Sequence, residues 1–142
     1  METPFSVRIR TRGYELDQQG HLNQAVYTQY AEHARWRFLD AAGLTPEVLR
    51  AAGLGPALLK CAIRYQRELR GGDEVDVTCA LTGGKGRLVE LTQHFRTPDG
   101  VAVARFENVI GLLDLTTRRL VADPRATMRQ LAKQPDLLGL DG

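Results

Sequence analysis

Cysteine is scarce in this chain, and the two present, Cys61 and Cys79, make neither a CxxC metal pair nor a disulfide framework. Both lie in apolar stretches, where a small buried thiol in a reducing compartment is the expected state. Long hydrophobic runs are missing as well: nothing approaches the ~20 apolar residues that a membrane-spanning helix needs. The opening METPFSVRIR lacks a signal-peptide apolar core, so a cytoplasmic protein is expected. No block of one charge sign occurs; 19 Lys and Arg against 17 Asp and Glu leave a formal charge of +2. The basic residues are isolated, which argues against a nucleic-acid partner, although a mildly basic surface suits a ligand carrying phosphates. The three histidines are not spaced as metal ligands and have no companion Cys or Asp cluster, so no metal is expected. Repeats and low-complexity linkers are absent. With 43% hydrophobic and 25% charged residues, the sequence fits one globular domain over 1–142.

What is present is a change of period along the chain. Residues 5–13 alternate and stop at Gly13, which predicts a first strand. A polar, turn-like stretch from Tyr14 to Leu22 follows, with Asp17 and Gly20 inside it. Val26, Tyr27, Tyr30, Ala34, Phe38 and Ala41 then share one face at helical steps. Asn23 is a candidate N-cap, Gly43 ends the helix, and Thr45-Pro46 opens a short second one over about 45–52. After a Gly-Leu-Gly-Pro turn at 53–56, strands are predicted over 58–69, 74–82, 87–97 and 101–115. In the first of these Leu59, Cys61, Ile63, Tyr65 and Leu69 fall on one face. Asp123-Pro124 starts a C-terminal helix running to about Lys133. Short turns between consecutive strands imply an antiparallel meander of the last four. The expected class is α+β, with the helix at 23–42 wrapped by a curved antiparallel sheet of about five strands.

The chemistry should sit where the polar loop feeds the helix. Free amides at a helix start, with the positive end of the helix dipole, favour developing negative charge. Asp17 lies six residues before the cap, close enough for a turn at Gly20 to fold its carboxylate toward those amides. A carboxylate facing an oxyanion site is what hydrolysis of an activated acyl group requires.

The stretch R-G-Y-E-L-D-x-x-G-H-L-N-x-A-x-Y at 12–27, followed by A-R-W-R-F-L, resembles the signature of hot-dog-fold thioesterases of the 4-hydroxybenzoyl-CoA thioesterase group. It is particularly similar to the bacterial long-chain acyl-CoA thioesterase branch. The likeness continues through I-x-Y-x-R at 63–67, the Gly-Lys-x-Arg turn at 84–87 and Leu-Asp-Leu at 113–115. The resemblance implies a helix wrapped in an antiparallel sheet, a homodimer or dimer of dimers, and coenzyme A thioesters as substrates. No cofactor is implied, since coenzyme A is part of the substrate. By position Asp17 matches the catalytic aspartate, as nucleophile or as base for water, and the backbone amide of Gln24 matches the oxyanion donor. Gln24 departs from the branch, which usually has Asn there.

The remaining residues divide between chemistry and structure. His21 is expected to support Asp17 or the helix start, with a purely structural role as its rival, and Asn23 to cap. Tyr27, Tyr30 and Phe38 are expected in the core or lining an acyl pocket. Glu32 sits too far along the helix to join the oxyanion end, and Arg35 and Arg37 are expected in ion pairs on a helix face. His94 lies on the polar face of a strand. Lys60, Arg64, Lys85 and Arg87 are candidates for holding coenzyme A phosphates, Lys85 and Arg87 in their glycine-rich turn being the stronger pair. The expected reaction is hydrolysis of an acyl-CoA to free acid and coenzyme A. Alternatives are a hydratase or dehydratase on the same fold, whose motifs are missing, and a non-catalytic acyl-CoA sensor, for which the chain starts too close to its first strand to carry a DNA-binding module.

Overall fold

The apolar stripe on one helix decides the architecture of the computed structural model, which describes residues 4–140. Helix α1, Gln24–Ala42, begins at Asn23, whose side chain accepts from the Ala25 amide, and ends at Gly43 in the left-handed region (φ 90°). It buries Tyr27, Tyr30, Ala31, Ala34, Phe38, Leu39 and Ala42. Ala41, expected on this face, is exposed, and Ala42 takes the inward position one step later. Five antiparallel strands receive that stripe: β1 Phe5–Arg10, β2 Leu54–Tyr65, β3 Glu74–Gly83, β4 Val89–Arg96 and β5 Ala102–Asp114. Short helices α2, Pro46–Ala51, and α3, Pro124–Leu131, complete the set, with 3-10 turns at Gly13–Glu15 and Pro135–Leu138. No described helix is long and apolar enough to cross a membrane.

The strand order is β1-β3-β4-β5-β2, which corrects the expected meander. Only β3, β4 and β5 follow one another. Strand β2 pairs with β5 from Leu54–Asp114 to Tyr65–Ala104, and β3 pairs with β1 from Phe5–Cys79 to Arg10–Glu74. The reason is the connection at 66–73, which is a crossing and not a hairpin turn: Gln66 and Arg67 both donate to Val103 O, and Leu69 is buried. The chain thereby passes from one edge of the sheet to a position beside the other.

The first strand is shorter than expected, because Gly13 opens a 3-10 turn. Strand β2 is longer at its start and shorter at its end. It includes Pro56, which an edge strand tolerates because its missing N–H can face the unpaired side. A bulge between Leu58 and Lys60 makes Leu59 the inserted residue. Leu58 therefore shares the inner face with Cys61, Ile63 and Tyr65, while Leu59 leaves the expected row. Cys61 is exposed, contrary to expectation, whereas Cys79 is buried, and burial pushes its thiol up to about 12. The difference follows from position: Cys61 is on the edge strand, whereas α1 packs chiefly against β1 and β3, the strand that carries Cys79.

Phe95 and Phe106 stack at 5.1 Å between ring centroids, and Phe38 of α1 meets Phe5 of β1 at 5.5 Å. Phe38 is 1% exposed, so Phe38→Ala leaves a cavity the helix cannot close. The expected loss is about 3–5 kcal/mol, read as a lower urea midpoint with an unchanged slope.

Candidate active site

The polar stretch before α1 folds into a small hairpin. Leu16 bridges Leu22, the Asp17 amide donates to His21 O at 2.8 Å, and the Gly20 amide donates to Asp17 O at 3.1 Å. Asp17 closes the turn with its side chain as well: Oδ1 accepts from the amides of Gln19 (2.9 Å) and His21 (3.1 Å). That occupies one carboxylate oxygen and leaves Oδ2 open. The hairpin is tied to the helix start because the Asn23 amide donates to Glu15 O at 2.9 Å. At that start Ala25 is capped by Asn23, and the Gln24 amide has no partner among the described residues. A fixed carboxylate and a free helix-terminal N–H thus lie on adjoining segments.

Two neighbours hold this arrangement in place. The crossing at 66–73 lies against the hairpin, with Leu22 N donating to Leu69 O at 2.7 Å and His21 bridging Arg70. His21 Nε2 meets Glu68 Oε2 at 2.7 Å, and Glu68 also accepts from Arg70 Nη2 at 3.0 Å. The imidazole is therefore engaged by Glu68, while the His21 backbone amide serves Asp17. On the other side the Tyr30 hydroxyl donates to Glu15 Oε1, which also accepts from the Arg12 amide at 2.9 Å. Burial and that carboxylate push the Tyr30 hydroxyl up from its ordinary value. Tyr27 packs edge-on against Tyr65 at 5.1 Å. Tyr27, Tyr30 and Phe38 are thus buried packing groups with little open surface.

The four basic candidates are placed elsewhere. Lys85 and Arg87 sit in the β3–β4 turn, and Arg87 donates to Leu120 O. The ten residues of β3 put that turn about 30 Å from the hairpin end of the sheet. Lys60 and Arg64 lie on the outer face of β2. Lys60 lines a cavity of about 480 Å³ with Glu90, Thr92, His94, Arg105 and Glu107. Burial, then Arg96 and Arg105, hold the His94 imidazole below its ordinary value. Arg35 departs from the expected surface ion pair. It turns inward, donates to Gln93 Oε1 at 3.2 Å, and has its pKa lowered by burial; Arg37 stays exposed, and neither forms an ion pair among the described residues.

Glu68 and Arg70, which frame His21, are not legible from sequence, because the alternation at 58–69 reads as strand and Gly71-Gly72-Asp73 as a turn. An inner polar cluster also escapes a reading of the sequence. Gln93 donates to Ala31 O (2.9 Å), and Asn108 donates to Gln93 Oε1 (3.1 Å) and Leu91 O (3.0 Å), while Asn108 Oδ1 is buried without a partner. The available signal was an amide in the apolar row Val89, Leu91, Phe95. Beside this cluster a second cavity, about 260 Å³, opens between α1 and β2, lined by Arg35, Trp36, Leu39, Leu58, Leu91 and Ile110 among others.

Residues 11–131 match the family described as the Thioesterase-like superfamily, and the chain belongs to it. It is 28% identical to the long-chain acyl-CoA thioesterase FadM of Escherichia coli (strain K12), covering 91% of this chain and 100% of that protein. It is 26% identical to the chloroplastic acyl-acyl carrier protein thioesterase ATL3 of Arabidopsis thaliana, covering 92% of this chain and 70% of that one. Among solved structures it superposes on the probable thioesterase YbaW from Escherichia coli with a TM-score of 0.80 at 26% identity, over 89% of this chain and 94% of that one. The fold is the hot-dog fold and the protein is a thioesterase.

Gly20 (φ 80°) holds the left-handed position that the Asp17 hairpin requires, and a Cβ there would meet nothing within 4 Å. Only backbone strain should therefore penalise Gly20→Ala, by about 1–2 kcal/mol, and Gly20→Asn should recover part of it. Thermal unfolding of the two variants measures the difference.

Proposed function

We propose that the protein hydrolyses an acyl-CoA to the free acid and coenzyme A, with Asp17 as nucleophile or base and the Gln24 amide as oxyanion donor. The observation that carries this is the N–H at the start of α1, without a partner among the described residues, on a segment adjoining the hairpin that holds the Asp17 carboxylate by one oxygen. The open Oδ2 either attacks the thioester carbonyl and breaks its C–S bond, releasing the coenzyme A thiolate and leaving an acyl anhydride that water cleaves, or takes a proton from water that attacks the carbonyl and displaces the same thiolate. In both routes the carbonyl oxygen gains charge against the helix terminus. His21 and Asn23 support the site, His21 through its amide to Asp17 and Asn23 as the cap. Tyr27 and Tyr30 brace the helix behind it. The cavity between α1 and β2 takes the acyl group, its apolar lining being Trp36, Leu39, Leu58 and Ile110. Such an enzyme acts in the cytoplasm as a single domain and needs no metal.

The Gln24 role has a direct test. Gln24 is the first helical residue, and Asn23 already holds φ −61°, ψ 137°, the conformation a following proline demands. Gln24→Pro should fold normally, remove the donor, and lower kcat by about 10²–10³. Gln24→Ala, which keeps the amide, should leave kcat nearly unchanged. Asp17→Asn should cost about 10²–10⁴ in thiol release from an acyl-CoA panel. Parent-like turnover by Asp17→Asn would remove Asp17 from the chemistry.

We also propose that the protein acts as a homodimer or dimer of dimers through β2. Its outer edge is unpaired, and Leu58, Leu59 and Tyr65 are 49%, 48% and 43% exposed along it. Sedimentation should give a mass of at least two chains, shifted toward one by Leu59→Glu. A parent protein that sediments as a monomer would contradict the proposal.

A further inference from the structure

A separate cavity of about 300 Å³ lies between the β1 edge and α1. Arg8, Ile9, Arg10 and Arg12 make one wall, Tyr30 and His33 the other, and no carboxylate lines it. The nearby acids are already committed. Asp76 holds Arg8 at two points, 2.8 and 3.0 Å. Glu74 forms an ion pair with Arg10 at 3.8 Å, beyond hydrogen-bond length, so Arg10 is charge-paired while its hydrogen-bond donors are not used by Glu74. Glu15 accepts from the Arg12 amide and the Tyr30 hydroxyl. The Arg12 guanidinium and the His33 imidazole have no hydrogen bond or ion pair among the described residues. Charge on an edge strand blocks strand-to-strand association, which explains arginines on β1. It does not explain a concave site closed by His33 and Tyr30 from another element.

We propose that this cavity binds a phosphate group of the thioester's carrier moiety, with Arg10, Arg12 and His33 as donors. Guanidinium forks match phosphate oxygens, and basic side chains lining one cavity, of which Arg12 and His33 have no counter-ion among the described residues, are the chemistry such a group recruits. The group can come from the nucleotide end of coenzyme A or from the phosphopantetheine of a carrier protein. The placement fits either. Glu15 joins the cavity to the active end, its carboxylate on Tyr30 and its carbonyl on the Asn23 amide. His33 lies nine residues past Gln24 on α1, about 13 Å along the axis. A thioester at the helix start can reach that far with an extended pantetheine arm. The inference rests on the thioester-hydrolase assignment of the Asp17 site, and it places the phosphate away from Lys85 and Arg87.

Steady-state kinetics on three esters of one acyl chain test it: decanoyl-CoA, decanoyl-4′-phosphopantetheine and decanoyl-pantetheine. Arg12→Ala should raise KM for decanoyl-CoA about tenfold with kcat within about twofold, and leave decanoyl-pantetheine unaffected. An equal rise for the phosphopantetheine ester identifies the phosphate next to the arm; a rise for the CoA ester alone identifies the nucleotide end. Unchanged KM values for both phosphorylated esters in Arg12→Ala and in Arg10→Ala/Arg12→Ala would overturn the proposal. So would an equal rise for the phosphate-free ester, which marks a structural effect; His33→Ala, on the exposed side of the helix, repeats the comparison if an arginine variant misfolds. Binding of desulfo-coenzyme A by calorimetry separates the two hypotheses. If the parent protein releases no thiol from any ester, the Asp17 assignment fails. The cavity assignment still stands if the parent binds desulfo-coenzyme A and Arg10→Ala/Arg12→Ala does not, and falls if both bind alike.

Discussion

The hydrogen bond from the Leu22 amide to the Leu69 carbonyl, 2.7 Å long, is the contact on which the active end depends. It joins the hairpin before α1 to the segment that carries the chain from β2 to β3. Those two segments need each other for the same reason. The strand order β1-β3-β4-β5-β2 forces residues 66–73 across the end of the sheet, where after Gln66 and Arg67, which bond to Val103 O of β5, the segment leaves the strand ladder. The hairpin at 16–22 is too short to satisfy its own backbone. Buried amides and carbonyls left unpaired cost about 1–3 kcal/mol each, so the two segments bond to one another. The crossing thereby becomes the wall against which Asp17 and His21 are set.

A second constraint fixes how α1 sits on the sheet. Gln93 occupies a position where the row calls for an apolar side chain, and it is fully satisfied there. Its Nε2 donates to Ala31 O and faces the Cys79 sulfur at 3.3 Å, and its Oε1 accepts from Arg35 and Asn108. An apolar contact is non-directional and would allow the helix to rotate or slide. A hydrogen bond from β4 to a helix carbonyl allows one register only. Arg35 comes inward because Gln93 offers an acceptor, and its aliphatic stem covers apolar surface as it does so.

The elements were largely legible in the sequence because each has a strong local signal. The α1 stripe, its Asn23 and Gly43 ends, and the alternation of β3, β4 and β5 all depend on neighbours in the chain. The pairing of β2 was not legible. Its Gly-rich start and Pro56 look like a turn, and the bulge at Leu59 shifts its phase, so its inner face could not be read from alternation. The exposure of Cys61 has the same origin: a strand pattern says which residues share a face, not whether a helix covers that face. At the site, the α1 start was legible because a helix terminus has a fixed chemistry, whereas Asp17 was singled out by the motif that resembles the thioesterase family. Glu68 was not legible, since its contact with His21 spans 47 positions and follows from the crossing.

The division of the site between backbone and side chain has a consequence for its evolution. If the Gln24 amide is the oxyanion donor, as proposed, the role belongs to the main chain and is insensitive to the side chain that residue 24 carries. The same freedom does not extend to what surrounds it. Asn23 must accept from Ala25 for the helix to start there, and Gly20 must hold a positive φ for Asp17 to close its turn. Glu15 must accept three hydrogen bonds in all, through its carboxylate from Tyr30 and Arg12 and through its carbonyl from Asn23. Glu15, with no chemistry of its own in the proposed hydrolysis, is thus strongly constrained, because its hydrogen bonds tie Arg12 and Tyr30 of the cavity wall to Asn23 at the helix start.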